Sequence, residues 1–174
     1  MSFSFAGYDC LDIGADTNSL QWVRQFLGVR RPLGLNIEAW RLENMRKAGE
    51  ACVDMNALDI PDEVGFDYVS MSHFIEHLQN RQQVLTMLGK ALRLARKGVW
   101  ISGPYFEADD YIREYGVKFA WGDWTGHSSR YGLRTFLAWL ERQAPGRVTV
   151  STGFPALTSV DDNIFALDER PNVD

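Results

Sequence analysis

The stretch 8–20, YDCLDIGADTNSL, constrains this chain more than any other. An apolar, strand-like run through Tyr8, Cys10, Leu11 and Ile13 stops at Gly14. Small and turn-forming residues follow (Ala15, Asp16, Thr17, Asn18), and a helical pattern then opens at Leu20, Trp22, Val23, Phe26 and Leu27. A strand that passes through a tight turn into a helix brings the helix's unpaired backbone N–H groups up to a ligand. Gly14 permits the sharp turn and a close backbone approach. Asp12 sets a carboxylate at the mouth of the strand.

The same alternation continues along the chain. Residues 33–37 (LGLNI) read as a short buried strand, 38–47 as a helix stopped at Gly49, 51–55 as a third strand, 56–65 as a polar loop with Pro61, and 66–71 as a fourth strand. In 81–97, Val84, Met87, Leu88, Ala91, Leu92 and Ala95 follow helical spacing. Arg93, Arg96 and Lys97 stand in the expected last turn, and Gly98 stands at the expected stop. Residues 99–102 make a fifth strand. A long irregular stretch to about residue 130 reads as an insertion or lid. Leu133, Phe136, Leu137 and Leu140 mark another helix. Residues 147–151 and 163–167 read as two closing strands, joined by a loop with Pro155, Asp161 and Asp162. Strands alternating with helices predict an α/β fold, a doubly wound and mostly parallel sheet with helices on both faces. Two final strands without an intervening helix predict an antiparallel edge.

With 174 residues, the expectation is one domain spanning 1–174, carrying the insertion at about 104–130. A net charge of -5 argues against a nucleic-acid partner, which needs a basic face. Cys10 and Cys52 lie inside strand-like runs and read as core thiols. No apolar run approaches a membrane span and no signal peptide opens the sequence, so a cytoplasmic location is expected.

LDIGADTNSL resembles the first motif of the class I S-adenosylmethionine-dependent methyltransferases, an acidic residue followed by glycines at alternate positions. Asp12 and Gly14 match in phase, whereas Asp16 and Asn18 stand where two further glycines are usual. Both residue types tolerate positive φ, although their side chains point toward space that the cofactor's methionine part fills. The resemblance covers roughly 9–104 and extends to LGLNIEAW, VDMNALDI and FDYVSMSHFIEHL. It implies a Rossmann-like, seven-stranded sheet with the last strand antiparallel, and S-adenosylmethionine as cofactor. Around that cofactor it implies Asp12, Gly14, Ala15 and Asn18 at the first turn. Asn36 takes the place of the usual ribose-binding acid with Ile37 beside it, Asn56 and Ala57 lie on the adenine side, and Ser72 and His73 end the fourth strand.

His73-Phe74-Ile75-Glu76-His77 also fits H-x-x-E-H, the pattern of inverted zinc peptidases. The segment follows directly from a buried strand and no further downstream ligand is obvious, so no metal is expected, and Glu76-His77 reads as a structural pair. The segment 105–131 is rich in aromatics and also holds Asp109, Asp110, Asp123 and His127. Tyr105, Trp121 and Trp124 could wall a dry acceptor pocket. His127 could then act as general base, oriented by Asp123. The alternative is a satellite aromatic core with His127 on a surface loop. Ser128 beside His127 and Asp123 suggests a hydrolase only weakly, since no G-x-S-x-G elbow exists.

The expected function is S-adenosylmethionine-dependent transfer of a methyl group to a small-molecule acceptor, by in-line displacement favoured through positioning and exclusion of water. The rival is a catalytically degenerate binding or interaction module. It draws on Asp16, Asn18, Asn36 and Asn56, and on LARKGVWI, where a glycine-rich stretch is usual. With the first strand so close to Met1, the insertion or a second subunit of a homodimer would have to cover the cofactor.

Overall fold

The structure, a computed structural model, describes residues 3–123, 125–151 and 164–169. It divides into two compact units, Met1–Gly103 and Pro104–Asp174.

The first unit is built on β1 (Cys10–Ile13), a strand buried at every position. Its carboxyl end turns at Gly14 (φ 77°) into α1 (Thr17–Leu27). Asp16 caps that helix, accepting from Ser19 N at 2.8 Å, while Asp16 N donates to Ser19 Oγ at 2.9 Å. This reciprocal box satisfies donors that the helix start leaves open. The chain then alternates through β2 (Pro32–Asn36), α2 (Ala39–Lys47) and β3 (Cys52–Asp54). A short 3-10 turn follows (Ala57–Asp59), then β4 (Phe66–Ser72), a second 3-10 turn (Ile75–His77), α3 (Arg81–Leu94) and β5 (Ala95–Ser102).

The five strands form one sheet in the order β3-β2-β1-β4-β5, with every pairing parallel. The chain runs outward from β1 to β3 and then crosses back to β4. The switch point therefore falls between β1 and β4, and the carboxyl-end crevice there is where open α/β sheets take ligands. In register, Asp12 lies between Gly34 of β2 and Ser70 of β4.

Gly34 shows why the helices lie close to the sheet. A Cβ there would meet Met45 Sδ at 2.7 Å, Ala15 Cβ at 3.1 Å and Leu20 Cδ1 at 3.3 Å. Leu20, Leu42, Met45 and Ala15 form one buried cluster, so α1 and α2 close over β2 only because that position carries no side chain.

Two expectations for this unit change. The helix predicted over 81–97 ends at Leu94, and β5 begins at Ala95 rather than residue 99. Arg96 and Lys97 are not helix-end cations. Arg96 Nη2 reaches Asp67 Oδ1 at 3.0 Å and Lys97 Nζ reaches Asp67 Oδ2 at 2.8 Å, which ties the starts of β5 and β4 together. The carboxylate of Asp67 falls below its usual range, first through Lys97 and then Arg96.

In the second unit, the stretch expected to be irregular contains α4 (Phe106–Arg113) and β6 (Val117–Phe119). Helix α5 (Leu133–Gln143) follows, and β7 (Ile164–Ala166) pairs antiparallel with β6. The antiparallel edge is present, but as a separate two-stranded sheet, so the expected single sheet of seven strands is five plus two. Residues 147–151 are not a strand; the partner of β7 comes from the insertion instead. The loop with Pro155, Asp161 and Asp162 lies outside the described residues. No helix among the described residues is long and apolar enough to cross a membrane.

Gly34→Ala should destabilise the chain by about 1–3 kcal/mol through overpacking, because Ala15 cannot move as Met45 can. Urea unfolding followed by circular dichroism measures this; an unchanged midpoint would show that α1 and α2 do not depend on the close approach.

Candidate functional site

The carboxyl ends of β1, β2 and β4 bring most of the expected residues of the first unit onto one edge. The turn after β1 is fixed from β2: Leu35 O accepts from Gly14 N at 2.9 Å and from Ala15 N at 3.1 Å. Asn36 completes the brace. Its Nδ2 donates to Ala15 O at 2.8 Å, and its Oδ1 accepts from Ile37 N at 2.8 Å and Glu38 N at 2.9 Å. The buried amide thus ties the first turn to the start of α2. Ile37, next to it, is 68% exposed and leaves an apolar side chain on the edge.

Asp16 does not point into the turn. One carboxylate oxygen caps α1, and the other lies 3.0 Å from Arg41 Nη1. Arg41 also pairs with Glu38, at 2.6 Å from Nε. The guanidinium therefore offsets the negative charge that Asp16 adds beside the turn. Asn18 is exposed in the first turn of α1.

Asp12 is fully buried, with Ser19 Oγ donating to its Oδ2. Its Oδ1 and Ser70 Oγ each lack a partner at hydrogen-bond geometry. Burial pushes the carboxyl up to about 6; the Ser19 and Ser70 hydroxyls oppose this and the charge of Asp16 adds to it. Ser70 lies close enough on the neighbouring strand to act electrostatically, though not as a well-formed bond.

Beyond β4, Ser72 Oγ and Ser102 Oγ lie 2.8 Å apart, joining the ends of β4 and β5. His73 takes a left-handed backbone (φ 49°), held by His73 N donating to Ser102 O at 2.9 Å. A non-glycine residue there is strained and depends on its surroundings. His73 Nδ1 stands 3.3 Å from Glu76 Oε1, and this neighbour raises the imidazole above its ordinary value. Phe74 follows and lies against the first turn: a Cβ on Gly14 would sit 2.9 Å from Phe74 Cδ2. Gly14 is therefore required twice, by its backbone angle and by the Phe74 ring.

Asn56 caps the turn after β3, its Oδ1 accepting from Leu58 N at 2.9 Å, and Ala57 is buried behind it. Lys90, which sequence reasoning passed over, anchors this loop. Only 8% exposed, it donates from α3 to Leu58 O at 2.8 Å and to Ile60 O at 2.5 Å. A lysine inside an amphipathic helix gives no sign in sequence that its partners are two carbonyls thirty residues earlier. Phe74 was equally hidden, although a large aromatic just past a strand's carboxyl end is the kind of signal that finds such a residue.

In the second unit the aromatics pack on one another. Phe106 meets Trp121, His127 and Tyr131 edge-on, with centroids 5.8, 5.7 and 5.5 Å away, and Phe119 stacks on Trp121 at 5.2 Å. Tyr105 is half-buried, and Trp124 lies outside the described residues. Asp123 pairs with Lys118 Nζ at 2.6 Å and Arg113 Nη2 at 2.7 Å, and these cations hold its carboxyl below the usual range. The organising carboxylate here is Asp109, fully buried, accepting from Phe119 N at 2.9 Å and Arg113 Nε at 2.7 Å.

No protein-family model matches the sequence, and no curated protein matches it. Solved structures do. A SAM-dependent methyltransferase from Archaeoglobus fulgidus superposes with a TM-score of 0.58 at 20% identity, over 80% of this chain and 62% of that one. A putative methyltransferase in complex with the Haloferax volcanii Trm112 methyltransferase activator gives 0.60 at 16%, over 78% and 60%. Magnesium protoporphyrin IX methyltransferase from Synechocystis, with bound SAH, gives 0.56 at 12%, over 78% and 63%. The chain thus spans about three-fifths of the length of each of these proteins. Its fold is that of the class I S-adenosylmethionine-dependent methyltransferases.

The buried Asp12 makes stability depend on pH. Its folded value, about 6, lies above the ordinary 3.8, so the folded state binds its proton more tightly. The cost of ionisation is absent below about pH 4, grows as pH rises through that window, and is complete above pH 6, at about 3 kcal/mol. Asp12→Asn keeps an acceptor for Ser19 and removes this cost. The variant should gain stability relative to the parent between pH 4 and pH 7 in urea titrations; a difference independent of pH would contradict a raised Asp12.

Proposed function

We propose that the chain is an S-adenosylmethionine-dependent methyltransferase acting on a small-molecule acceptor. The observation that carries this reading is the state of the first turn. Despite two substituted glycines, Gly14 and Ala15 keep a tight backbone braced by Leu35 and Asn36, and Asp16 is folded back onto α1 and Arg41. A tight turn opening a helix at the β1–β4 switch point suits an amino-acid ligand.

In this reading Gly14, Ala15 and Asn18 hold the methionine part of the cofactor, with Asp12 beneath them. Arg41 faces its carboxylate and offsets Asp16. Asn36 and Ile37 hold the ribose and the adenine face, Asn56 and Ala57 the adenine edge, and Ser72 and His73 the end nearest the reacting carbon. When bound, the cofactor supplies an electrophilic methyl group. Within the second unit, Tyr105, Trp121 and Trp124 are the proposed acceptor-binding groups. His127 is the proposed base, and Asp123, paired with Lys118 and Arg113, is the group proposed to orient it. The reading places the protein in the cytoplasm, with neither nucleic acid nor membrane as partner, and as a homodimer.

One observation favours the second reading, a binding or interaction module without catalysis. The amide oxygen of Asn36 already accepts from two backbone N–H groups, and Glu38, two residues on, is paired with Arg41. A charge-assisted bond, about twice as strong as a neutral one, is lost there.

Calorimetry and thermal unfolding with S-adenosylhomocysteine separate the two. The enzyme reading expects micromolar binding and, at hundredfold excess over Kd, about 2.7 kcal/mol of added stability. No binding at millimolar ligand would leave only the module.

A further inference from the structure

We infer that His73 and Glu76 form an acid–base dyad at the carboxyl end of β4, with His73 Nε2 as the atom that takes a proton from an acceptor. Geometry carries this. Glu76 is fully buried, 65% of the His73 side chain is exposed, and His73 Nδ1 stands 3.3 Å from Glu76 Oε1. One ring nitrogen thus faces a carboxylate in the interior, and Nε2 is left as the nitrogen a solute can reach. A carboxylate behind an imidazole fixes the tautomer with the proton on Nδ1, and it stabilises the imidazolium once Nε2 is protonated. Contacts of this kind are often long without a ligand and tighten when one binds.

Two further observations fit a reacting group better than a surface ion pair. His73 keeps a left-handed backbone (φ 49°), held by its N–H donating to Ser102 O at 2.9 Å. Strain of this sort persists only where the surroundings over-determine it, and it gathers at active sites. The contact with Glu76 also raises the imidazole above its ordinary value of 6.5; burial opposes this and the charge of Glu76 adds to it. The shift makes Nε2 a stronger proton acceptor than a free imidazole. Asp123, by contrast, is held by Lys118 and Arg113, whereas His73 and Glu76 are already in contact.

The inference rests on the methyltransferase reading for the identity of the reaction, and it narrows the acceptor. The reacting atom must carry a proton, as in a hydroxyl or an amine. The acceptor's O–H or N–H bond breaks, its electron pair stays on the acceptor, and the proton forms a bond to Nε2. Exposure of the ring lets that proton pass on to water.

The test uses the full chain without cofactor. Its imidazoles are titrated by NMR, and it is modified with diethyl pyrocarbonate, the modified histidines being located by mass spectrometry. His73 is expected to titrate above 6.5 with Nδ1 protonated in the neutral form, and Glu76→Gln should bring it back toward 6.5. Carbethoxylation of neutral His73 should be severalfold faster in the parent than in Glu76→Gln. Glu76→Asp, which withdraws the carboxylate by one methylene, should give the same loss and guards against a Gln variant that fails to fold. An ordinary titration in the parent, or one that Glu76→Gln leaves unmoved, would overturn the dyad. Equal or slower carbethoxylation in the parent would overturn it too, since a purely structural pair shields Nε2. Calorimetry with S-adenosylhomocysteine keeps the two readings apart. His73→Asn, a residue type that tolerates the left-handed backbone, should retain binding. Loss of binding in that variant alone would make His73 a cofactor anchor and end its role as base. Failure of the parent to bind would end the methyltransferase reading, while the NMR and modification results still decide the dyad.

Discussion

The carboxyl edge of the five-stranded sheet depends on how β2 holds the turn that leaves β1. Leu35 O takes both N–H groups of Gly14 and Ala15, and Asn36 reaches across to the carbonyl of Ala15 while its oxygen organises the start of α2. A turn held at its amides and its carbonyl by a neighbouring strand keeps its shape without glycine at every alternate position. This explains how Asp16 and Asn18 can stand where small residues are expected. Asp16 then acts as a helix cap whose remaining charge is met by Arg41.

Two buried carboxylates flank that turn, and they are treated differently. Asp12 receives Ser19 and lies beside Ser70, so partial solvation by hydroxyls keeps its titration within the physiological approach, near 6. Glu76, fully buried, has the His73 imidazole 3.3 Å away as its ion-pair partner. Between them Phe74 packs on Gly14, which couples the turn after β1 to the segment after β4.

Much of the first unit was legible because its signals are local. Alternating apolar runs, with Gly14 at the first turn and Gly49 at the helix stop, marked β1 to α2 nearly to the residue. What misled was charge whose partner is distant in sequence. Arg96 and Lys97 look like helix-end cations, but Asp67 draws them into β5. Asn36, expected at the cofactor, also donates to the carbonyl of Ala15, twenty-one residues earlier, a brace with no sign in the sequence. In the second unit, α4 was hidden because the i, i+4 pair Asp109–Arg113 sits among aromatics that packing, rather than periodicity, organises. The strand partner of β7 was misassigned because three residues of the insertion, Val117–Phe119, carry too short a pattern to stand out.

The proposed function requires the braced first turn to be a working cradle for an adenosyl amino acid. A structure of the full chain grown with S-adenosylhomocysteine tests it most directly. Ligand density is expected with the amino-acid end against Gly14 and Ala15 and the adenine against Ile37. Density elsewhere, or none at saturating ligand, would contradict it and leave the methyltransferase architecture without its chemistry.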